Sequence, residues 1–447
     1  MGRVTSLKAK LSSHEDLNFA REWVDVVLQK AYGRVNRDRK MLVVVNPYGG
    51  SGQGQKVWDT TVLPIFKAAN ASFEVIFTTH RGHGIEIGEG IDLTQFQVLV
   101  CVSGDGIVHE VLNGIGRRAD AGIALKKISF ASIPAGSGNA LSVNNMGPQN
   151  CRNTVLAALT ALKGRAVPLD LCSVTQLPAG KSVDSGVEPI RMLSFLSTSF
   201  GLMADLDVGT ENWRWMGETR FILGYLKGAF KNPKQPCRLD ILLSEFDKKV
   251  METNWIKQRA ELNSGSSALD VQDSSLGEPE DRGSKSDRSN GLPDLMYGDV
   301  RTPIPKAALP FSSTSTSGDP NPIKDQWYTL EEPITSVYAG TLPFMAADLL
   351  EFPMKLTGDG SIDIIVHQSP SVLRTLLCID GADQGSMFRN KDCQYFKAKA
   401  FRLTPLPLPL NKNDEPIGRK SFIVLDGENM PYQSIQAEIH SELGSVL

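Results

Sequence analysis

The sequence predicts a parallel, doubly wound α/β domain followed by an antiparallel β domain. Three observations carry that prediction. Over the first third of the chain, apolar runs of strand length alternate with amphipathic stretches of helix length. Three of those runs end in a glycine-rich loop. Beyond Leu169 the alternation gives way to successive strands with one helical stretch among them.

A chain of 447 residues exceeds one typical core, so two domains are expected, over 39–168 and 169–435, after an N-terminal arm of 1–38. In the arm, Leu17, Phe19, Ala20, Trp23, Val26, Val27 and Ala31 recur at near-helical spacing. That predicts an appended helix from Asp16 to Tyr32, packed on the body. MLVVVNP (41–47) has the continuous apolar character of a strand covered on both faces, and the stretch from Lys56 to Ala69 is amphipathic. SFEVIFTT (72–79), FQVLVCVSG (96–104) and ISFASIPAG (128–136) supply three more strands, with a helix starting near Ile107. In such a sheet the loops at the carboxyl ends of the strands carry the site.

The second half offers strands at LDLCSV (169–174), RMLSFLSTSF (191–200), CRLDILLS (237–244), SVYAGT (336–341), SIDIIVH (361–367), YFKAKAFRLTP (395–405) and SFIVLDG (421–427). Asn212–Gly228 reads as one helix among them. The stretch 263–322 is rich in Ser, Gly, Asp and Glu and poor in aromatics, so it is expected to be a disordered insertion.

The net charge of −3 gives no polyanion signature, which argues against a nucleic-acid partner. The N-terminus lacks the apolar core of a signal peptide, although Gly2 and Ser6 fit the short myristoylation pattern. The most apolar window, 334–350, is interrupted by Pro343 and Asp348, so no membrane span is expected. Six scattered cysteines without close pairs argue against a zinc site or a disulfide framework and favour the reducing cytosol.

The chemistry concentrates in the loops. Gly49, Gly50, Gly52 and Gly54 follow the first strand, where main-chain N–H groups can approach phosphate; a flexible turn fits the same residues. SGDGIVHEVLNG (103–114) sets Asp105 between Gly104 and Gly106. This carboxylate can take a proton or help to hold a metal, or it can simply cap a helix. Glu110 lies one turn into the helix that follows. PAGSGNA (134–140) offers Ser137 and Asn139 among Gly136 and Gly138 as donors to a nucleotide. Three such loops at successive strand ends make one phosphate-binding rim.

NPYGGSG, SGDGIVHEVLNG and PAGSGNALS, in this order and spacing, resemble the diacylglycerol-kinase-type catalytic fold and its sphingosine kinase (long-chain base kinase) branch. Ala140 stands where glycerolipid kinases tend to carry Asp. FLSTSFGLMADLDVGTENWRWMGETRFILG (195–224) resembles the substrate-recognition region of that branch, and LDGE (425–428) its C-terminal acidic motif. The resemblance covers roughly 40–260 and 325–432. It implies a nucleotide-binding α/β domain followed by an antiparallel β-sandwich that binds lipid, with ATP and Mg2+ as cofactors. The implied activity is transfer of the γ-phosphate to the primary hydroxyl of a sphingoid base.

By the resemblance, Asp105 is the general base, Asp207 pairs with the amine of the sphingoid base, and Asp205 stands beside it. Arg214 and Arg220 match arginines placed near the ATP phosphates. Asn46, Thr78, Ser103, Gly106, Ser137 and Glu428 match nucleotide contacts. Gly49, Gly50, Gly52, Gly104, Glu110, Gly136, Gly138, Asn139, Asp426 and Gly427 complete the implied ATP set, and the magnesium is expected near Asp105 or Asp426. Tyr48 departs from the pattern, since animal members often carry Arg there. His109 is read as orienting its loop. A cytoplasmic protein in transient contact with intracellular or plasma membranes is implied, because the substrate tail must leave a bilayer. A kinase of ceramide or diacylglycerol is the neighbouring alternative, and a catalytically silent lipid-binding scaffold the alternative from another class.

Overall fold

The computed structural model describes residues 13–33, 35–49, 52–209, 223–228, 234–268, 290–305, 326–356, 358–367, 381–391 and 393–447. They fall into two compact units. One comprises residues up to Ile115, Ala124–Pro168 and Gly444–Leu447; the other comprises Gly116–Ile123 and Leu169–Leu443.

The first unit is built on four parallel strands, β1 (Lys40–Val45), β2 (Ser72–Phe77), β3 (Val98–Ser103) and β4 (Ser129–Pro134). Their order is β2-β1-β3-β4, with β1 paired to both β2 and β3. The continuous apolar runs have the expected physical cause. Met41, Val43, Val45, Val98, Val100 and Val102 pack under Trp58, Val62 and Phe66 of the helical segment Gly54–Ala68 and under Ala157, Ala158 and Ala161 of the helix Thr154–Lys163. On the opposite face Leu42, Val44, Leu99 and Cys101 are equally buried. Trp58, Phe66 and Phe73 meet edge to face with ring centroids 5.6–6.1 Å apart, an arrangement that adds about 0.5–1.5 kcal/mol per pair to the burial itself. Two helices, His83–Gly90 and Asp105–Gly116, cross at glycines: a Cβ on Gly88 would lie 2.2 Å from the Val111 carbonyl oxygen, and one on Gly114 would lie 2.1 Å from that of Ile85.

The helix expected in the N-terminal arm is present as His14–Tyr32, closed by a capping box between Ser13 and Asp16. It does not bury its apolar side as expected: Phe19 and Trp23 are 70% and 61% exposed.

The second unit is an antiparallel sandwich. Its strands are β5 (Val167–Gln176, whose first two residues count with the other unit), β6 (Ile190–Ser194), β7 (Ser197–Gly201), β8 (Gln235–Glu245), β9 (Trp327–Ile334), β10 (Ser336–Gly340), the short hairpin β11 (Phe344–Ala346) and β12 (Leu349–Leu350), β13 (Ile362–His367), β14 (Cys393–Pro405), β15 (Ile423–Leu425), β16 (Glu428–Met430) and β17 (Ile435–Val446). β14 changes partners along its length. Its first half pairs with β13, and its second half lies between β17 and β8. Alternate residues such as Ile362, Ile364 and Val366 of β13 and Phe401 and Leu403 of β14 form the main core, while Ile365 faces the other way into a second cluster.

Two expectations need correction. RMLSFLSTSF is two strands, β6 and β7, parted at Phe195 and Leu196. The stretch 263–322 is not uniformly unstructured: the helix Lys248–Ala268 covers its first residues, and 290–305 is held by polar side chains of the sandwich. Glu438 of β17 accepts from the main-chain N–H groups of Met296 and Tyr297 at 2.8 and 2.9 Å. Arg402 of β14 donates to the carbonyls of Asp299 and Thr302, and Arg191 of β6 to that of Pro293.

Candidate active site

In the first unit the chain runs from β1 to β2 on one side of the sheet and from β3 to β4 on the other, so the loops after β1 and β3 lie at the topological switch point. Ligands of open α/β sheets bind there. Asn46 organises the first loop, its Oδ1 accepting from the N–H groups of Tyr48 and Gly49 at 3.0 Å each. Gly54 is required by close approach, since a Cβ would fall 2.0 Å from the Asn46 carbonyl oxygen. Gly52 adopts a left-handed φ of 69°, Tyr48 is 80% exposed, and Gly50 lies outside the described residues.

The second and third loops pack backbone on backbone. A Cβ on Gly136 would lie 2.4 Å from Gly104 Cα, and one on Gly104 would lie 2.7 Å from the Gly138 carbonyl oxygen. This contact brings Asp105 under the third loop. Asp105 is the buried first residue of its own helix, and its carboxylate accepts from Ala140 N–H at 2.7 Å and Leu141 N–H at 3.1 Å. It therefore also caps, from a distance in sequence, the short helix Ala140–Met146. Asn139 clamps the same loop, accepting from Gly136 N–H and donating to the Gly136 carbonyl. Ser137 is half-buried and Gly138 exposed, so both face outward from this clamp. Thr78 and Ser103 are buried at strand ends. The Thr78 N–H donates to the Val45 carbonyl, and Ser103 Oγ to the Gly104 carbonyl. Gly106 sits in the first turn of the helix, and His109 receives a hydrogen bond on its carbonyl from Asn113.

Glu110 is placed differently from a phosphate contact. Its two oxygens accept from Gly82 and Gly84 N–H at 3.1 and 2.9 Å, so it caps the helix His83–Gly90.

The acidic motif in the second unit is a two-residue hairpin. Asp426 and Gly427 both have positive φ, 49° and 86°, between Leu425 and its partner Glu428, as a type I′ turn demands. The Asp426 side chain turns inward, 3% exposed, and accepts from Ser194 Oγ at 2.6 Å and from the N–H groups of Phe195, Leu196 and Ser197. This explains the break between β6 and β7: one carboxylate takes the donors that a continuous strand would pair. Glu428 is half-buried at the start of β16.

Asp205 and Asp207 lie on the helix Leu202–Gly209, two residues apart and so on different sides of it. Asp205 is committed to an ion pair with Arg419 and to Ser421 Oγ at 2.8 Å. Burial raises its carboxyl above the usual range, against the lowering by Ser421 and Arg419. Asp207 neighbours Tyr338, whose phenol is pushed well up by burial and then by the charges of Asp207 and Glu351. Leu202, Met203 and Leu206 of the same helix join Tyr225, Met251, Phe352, Met387 and Phe388 in a methionine-rich apolar cluster. Sequence reading missed Tyr338. Its place between Val337 and Ala339, both in the main core, gives its face by strand alternation but not its neighbour. Arg214 and Arg220 lie outside the described residues.

Among the described residues no helix is long and apolar enough to cross a membrane, and no group of three or more His, Cys, Asp or Glu side chains could hold a metal ion. The described cysteines Cys101, Cys151, Cys172, Cys237 and Cys393 are buried thiols outside any disulfide.

Residues 40–174 match the diacylglycerol kinase catalytic domain family. The chain is 30% identical over 428 residues to sphingoid long chain base kinase 4 of Schizosaccharomyces pombe, covering 95% of this chain and 78% of that one. It is 28% identical over 470 residues to sphingoid long chain base kinase 5 of Saccharomyces cerevisiae, covering 98% and 63%, and 28% identical over 490 residues to human sphingosine kinase 2, covering 92% and 71%. In fold it is similar to a solved structure described as a candidate diacylglycerol kinase from Bacillus anthracis str. Sterne, with a TM-score of 0.51 at 16% identity over 92% of this chain and 98% of that one. A lipid kinase fold with these loops and these relatives is a member of the sphingosine kinase (sphingoid long-chain base kinase) family, and the use of ATP follows from that membership.

Proposed function

We propose that the protein transfers the γ-phosphate of ATP to the primary hydroxyl of a sphingoid base, with Asp105 as general base. The observation that carries this reading is the Asp105 carboxylate, held by two main-chain donors where the loops after β3 and β4 touch. A carboxylate fixed beside a glycine-built loop rim suits a reaction in which positioning and charge stabilisation do most of the work.

The second unit supports the sphingoid-base reading. The helix that carries Asp207 also carries Leu202, Met203 and Leu206 into the apolar cluster. A cationic amine beside apolar surface needs a carboxylate partner, and methionines adapt to a flexible alkyl tail. Asp207 is the amine partner in this reading; Asp205, held by Arg419 and Ser421, positions the helix. A neutral headgroup would have no use for Asp207.

Magnesium fits as an ion carried mainly by the phosphates of ATP with one protein carboxylate, the usual arrangement for this ion at nucleotide sites. Asp105 suits that task better than Asp426, whose oxygens accept from four donors of β6, β7 and their junction. When bound it offsets phosphate charge.

The test is transfer of labelled γ-phosphate to sphingosine, dihydrosphingosine, phytosphingosine, ceramide and diacylglycerol. Transfer confined to sphingoid bases is expected, reduced about a hundredfold or more in Asp105→Asn. Asp207→Asn is expected to raise KM for the sphingoid base. Equal activity on ceramide or diacylglycerol would sink the amine-pairing argument. Absence of transfer to every lipid, with ATP still bound, would favour a scaffold.

A further inference from the structure

The N-terminal helix presents a feature that the kinase chemistry leaves unused. At about 100° per residue, Val26, Phe19, Trp23, Val27, Ala20, Ala31, Val24, Leu17 and Leu28 fill an arc of about 200° around His14–Tyr32. Glu15, Asn18, Arg21, Glu22, Asp25 and Gln29 occupy the rest, with the terminal positions 14 and 32. Asp16 enters the apolar arc in the first turn, where it serves the capping box, and Lys30 in the last, where its long stem can lie along apolar surface. The large side chains of the arc face solvent: Phe19 is 70% exposed, Trp23 61%, Val26 51%, Val24 44% and Val27 43%.

A helix of this length is marginal in water unless its apolar face is covered. The width of the arc decides between covers. A second copy in a coiled coil would bury a narrow seam and leave part of the Val26–Phe19–Trp23 side wet. A lipid surface takes the whole arc, and Trp and Phe are suited to the boundary between headgroups and acyl chains. The helix carries Glu15, Asp16, Glu22 and Asp25 against Arg21 and Lys30, so apolar insertion rather than attraction to anionic lipid must drive the contact.

We propose that His14–Tyr32 lies in the interface of a bilayer, with Phe19 and Trp23 inserted, and docks the protein on a zwitterionic lipid surface. The choice of lipid as the partner rests in part on the kinase reading, because a long-chain substrate is delivered from such a surface.

The experiment is co-flotation of the full chain with phosphatidylcholine vesicles, comparing wild type, Phe19→Ser/Trp23→Ser and the conservative Phe19→Leu/Trp23→Phe. In parallel, phosphate transfer is measured on a sphingoid base in detergent micelles and in the same vesicles. Wild type and the conservative variant are expected to float, and the serine variant to lose flotation and vesicle activity about tenfold while keeping micelle activity. Equal flotation of all three, or a wild type that does not float, overturns the proposal. So does a wild-type dimer that the serine variant dissociates without change in flotation, which would assign the face to a second copy. Loss of micelle activity in the serine variant alone also overturns it, by giving the helix a role in the first unit's fold. Failure of wild type to phosphorylate any base in micelles counts against the kinase reading only, since flotation needs no catalysis.

Discussion

Asn46, Asn139 and Asp426 in the motif loops, and Glu110 in the helix after the second loop, are polar residues whose hydrogen bonds hold the main chain around them. Sequence shows that such residues sit at strand ends. It does not show whether their oxygens point out to a ligand or back to the main chain, because both uses favour the same short polar side chains. Asp426 gives a sharp case. Asn keeps the left-handed backbone that this position adopts, so Asp426→Asn isolates the charge and one acceptor. The variant is expected to lose about 3 kcal/mol of stability, read by urea unfolding, because an amide N–H₂ then faces buried N–H groups. A loss below about 0.5 kcal/mol would mean that the carboxylate is not needed to part β6 from β7.

At the scale of elements, the glycines of the second and third loops separate into those that allow contact and those that face outward. Gly136→Ala sets a Cβ 2.4 Å from Gly104 Cα, backbone that cannot rotate aside, whereas Gly138→Ala meets nothing nearer than Asp105 Oδ2 at 3.5 Å. Gly136→Ala is therefore expected to cut phosphate transfer more than tenfold and to cost about 1–3 kcal/mol, with Gly138→Ala far milder. Steady-state kinetics and thermal unfolding on the two variants check this, and the reverse order would contradict the loop packing. β1 and β3 are legible in the sequence because burial on both faces leaves them almost purely apolar, whereas the edge strand β2 is half-exposed and is marked by its β-branched and aromatic residues. β9 is not legible, since it carries Glu331, Glu332 and Pro333. β17 hides its pattern behind Gln436 and Glu438, both 1% exposed and both spent on the main chain of 290–305. That segment, with Leu292, Leu295, Met296, Tyr297 and Val300, is richer in apolar residues than the polar run before it, but its order also depends on side chains of other strands, which a local reading does not show.

Over the whole molecule, the second unit encloses charge as well as apolar surface. Lys355, 1% exposed, donates to Asp170 at 3.1 Å, to Asp359 and to the Ser361 carbonyl at 2.6 Å; Lys397 bridges Asp359 and Asp363. Burial lowers the Lys355 ammonium, but Asp359, Asp170 and Asp363 raise it further, so it stays charged. Lys355→Met leaves buried carboxylates without their counter-ion and is expected to cost about 3–5 kcal/mol by urea unfolding. Two buried histidines destabilise the fold on acidification, against the carboxyls of Asp205 and Glu438, which burial raises. Burial lowers both His367 and His440 to about 4, in the latter case with help from Arg191. A lowered histidine contributes stability in full above its unfolded value of about 6.5 and loses it as pH falls through 4, with a slope up to about 1.4 kcal/mol per pH unit for each. Asp359, held at about 2 against its burial by Lys355 and Lys397, adds nothing to that window and gives way only at lower pH. Unfolding free energies at pH 7.5, 5.5 and 4.5 are expected to fall steadily. A fall no steeper in wild type than in a His367→Gln/His440→Gln variant would show that the two imidazoles are hydrated.

The last strand has a consequence for how the chain is made. Ser129 Oγ bonds Ser445 Oγ across 316 residues, Leu447 N–H donates to the Phe130 carbonyl, and Leu447 itself lies in the core under β1, β3 and β4. During vectorial synthesis the nucleotide-binding half therefore emerges early but waits, with the flank of β4 uncovered, until residues 444–447 arrive. A chain cut at residue 168 would present that flank of β4 and the core position of Leu447 to solvent, the kind of surface through which partly made domains aggregate.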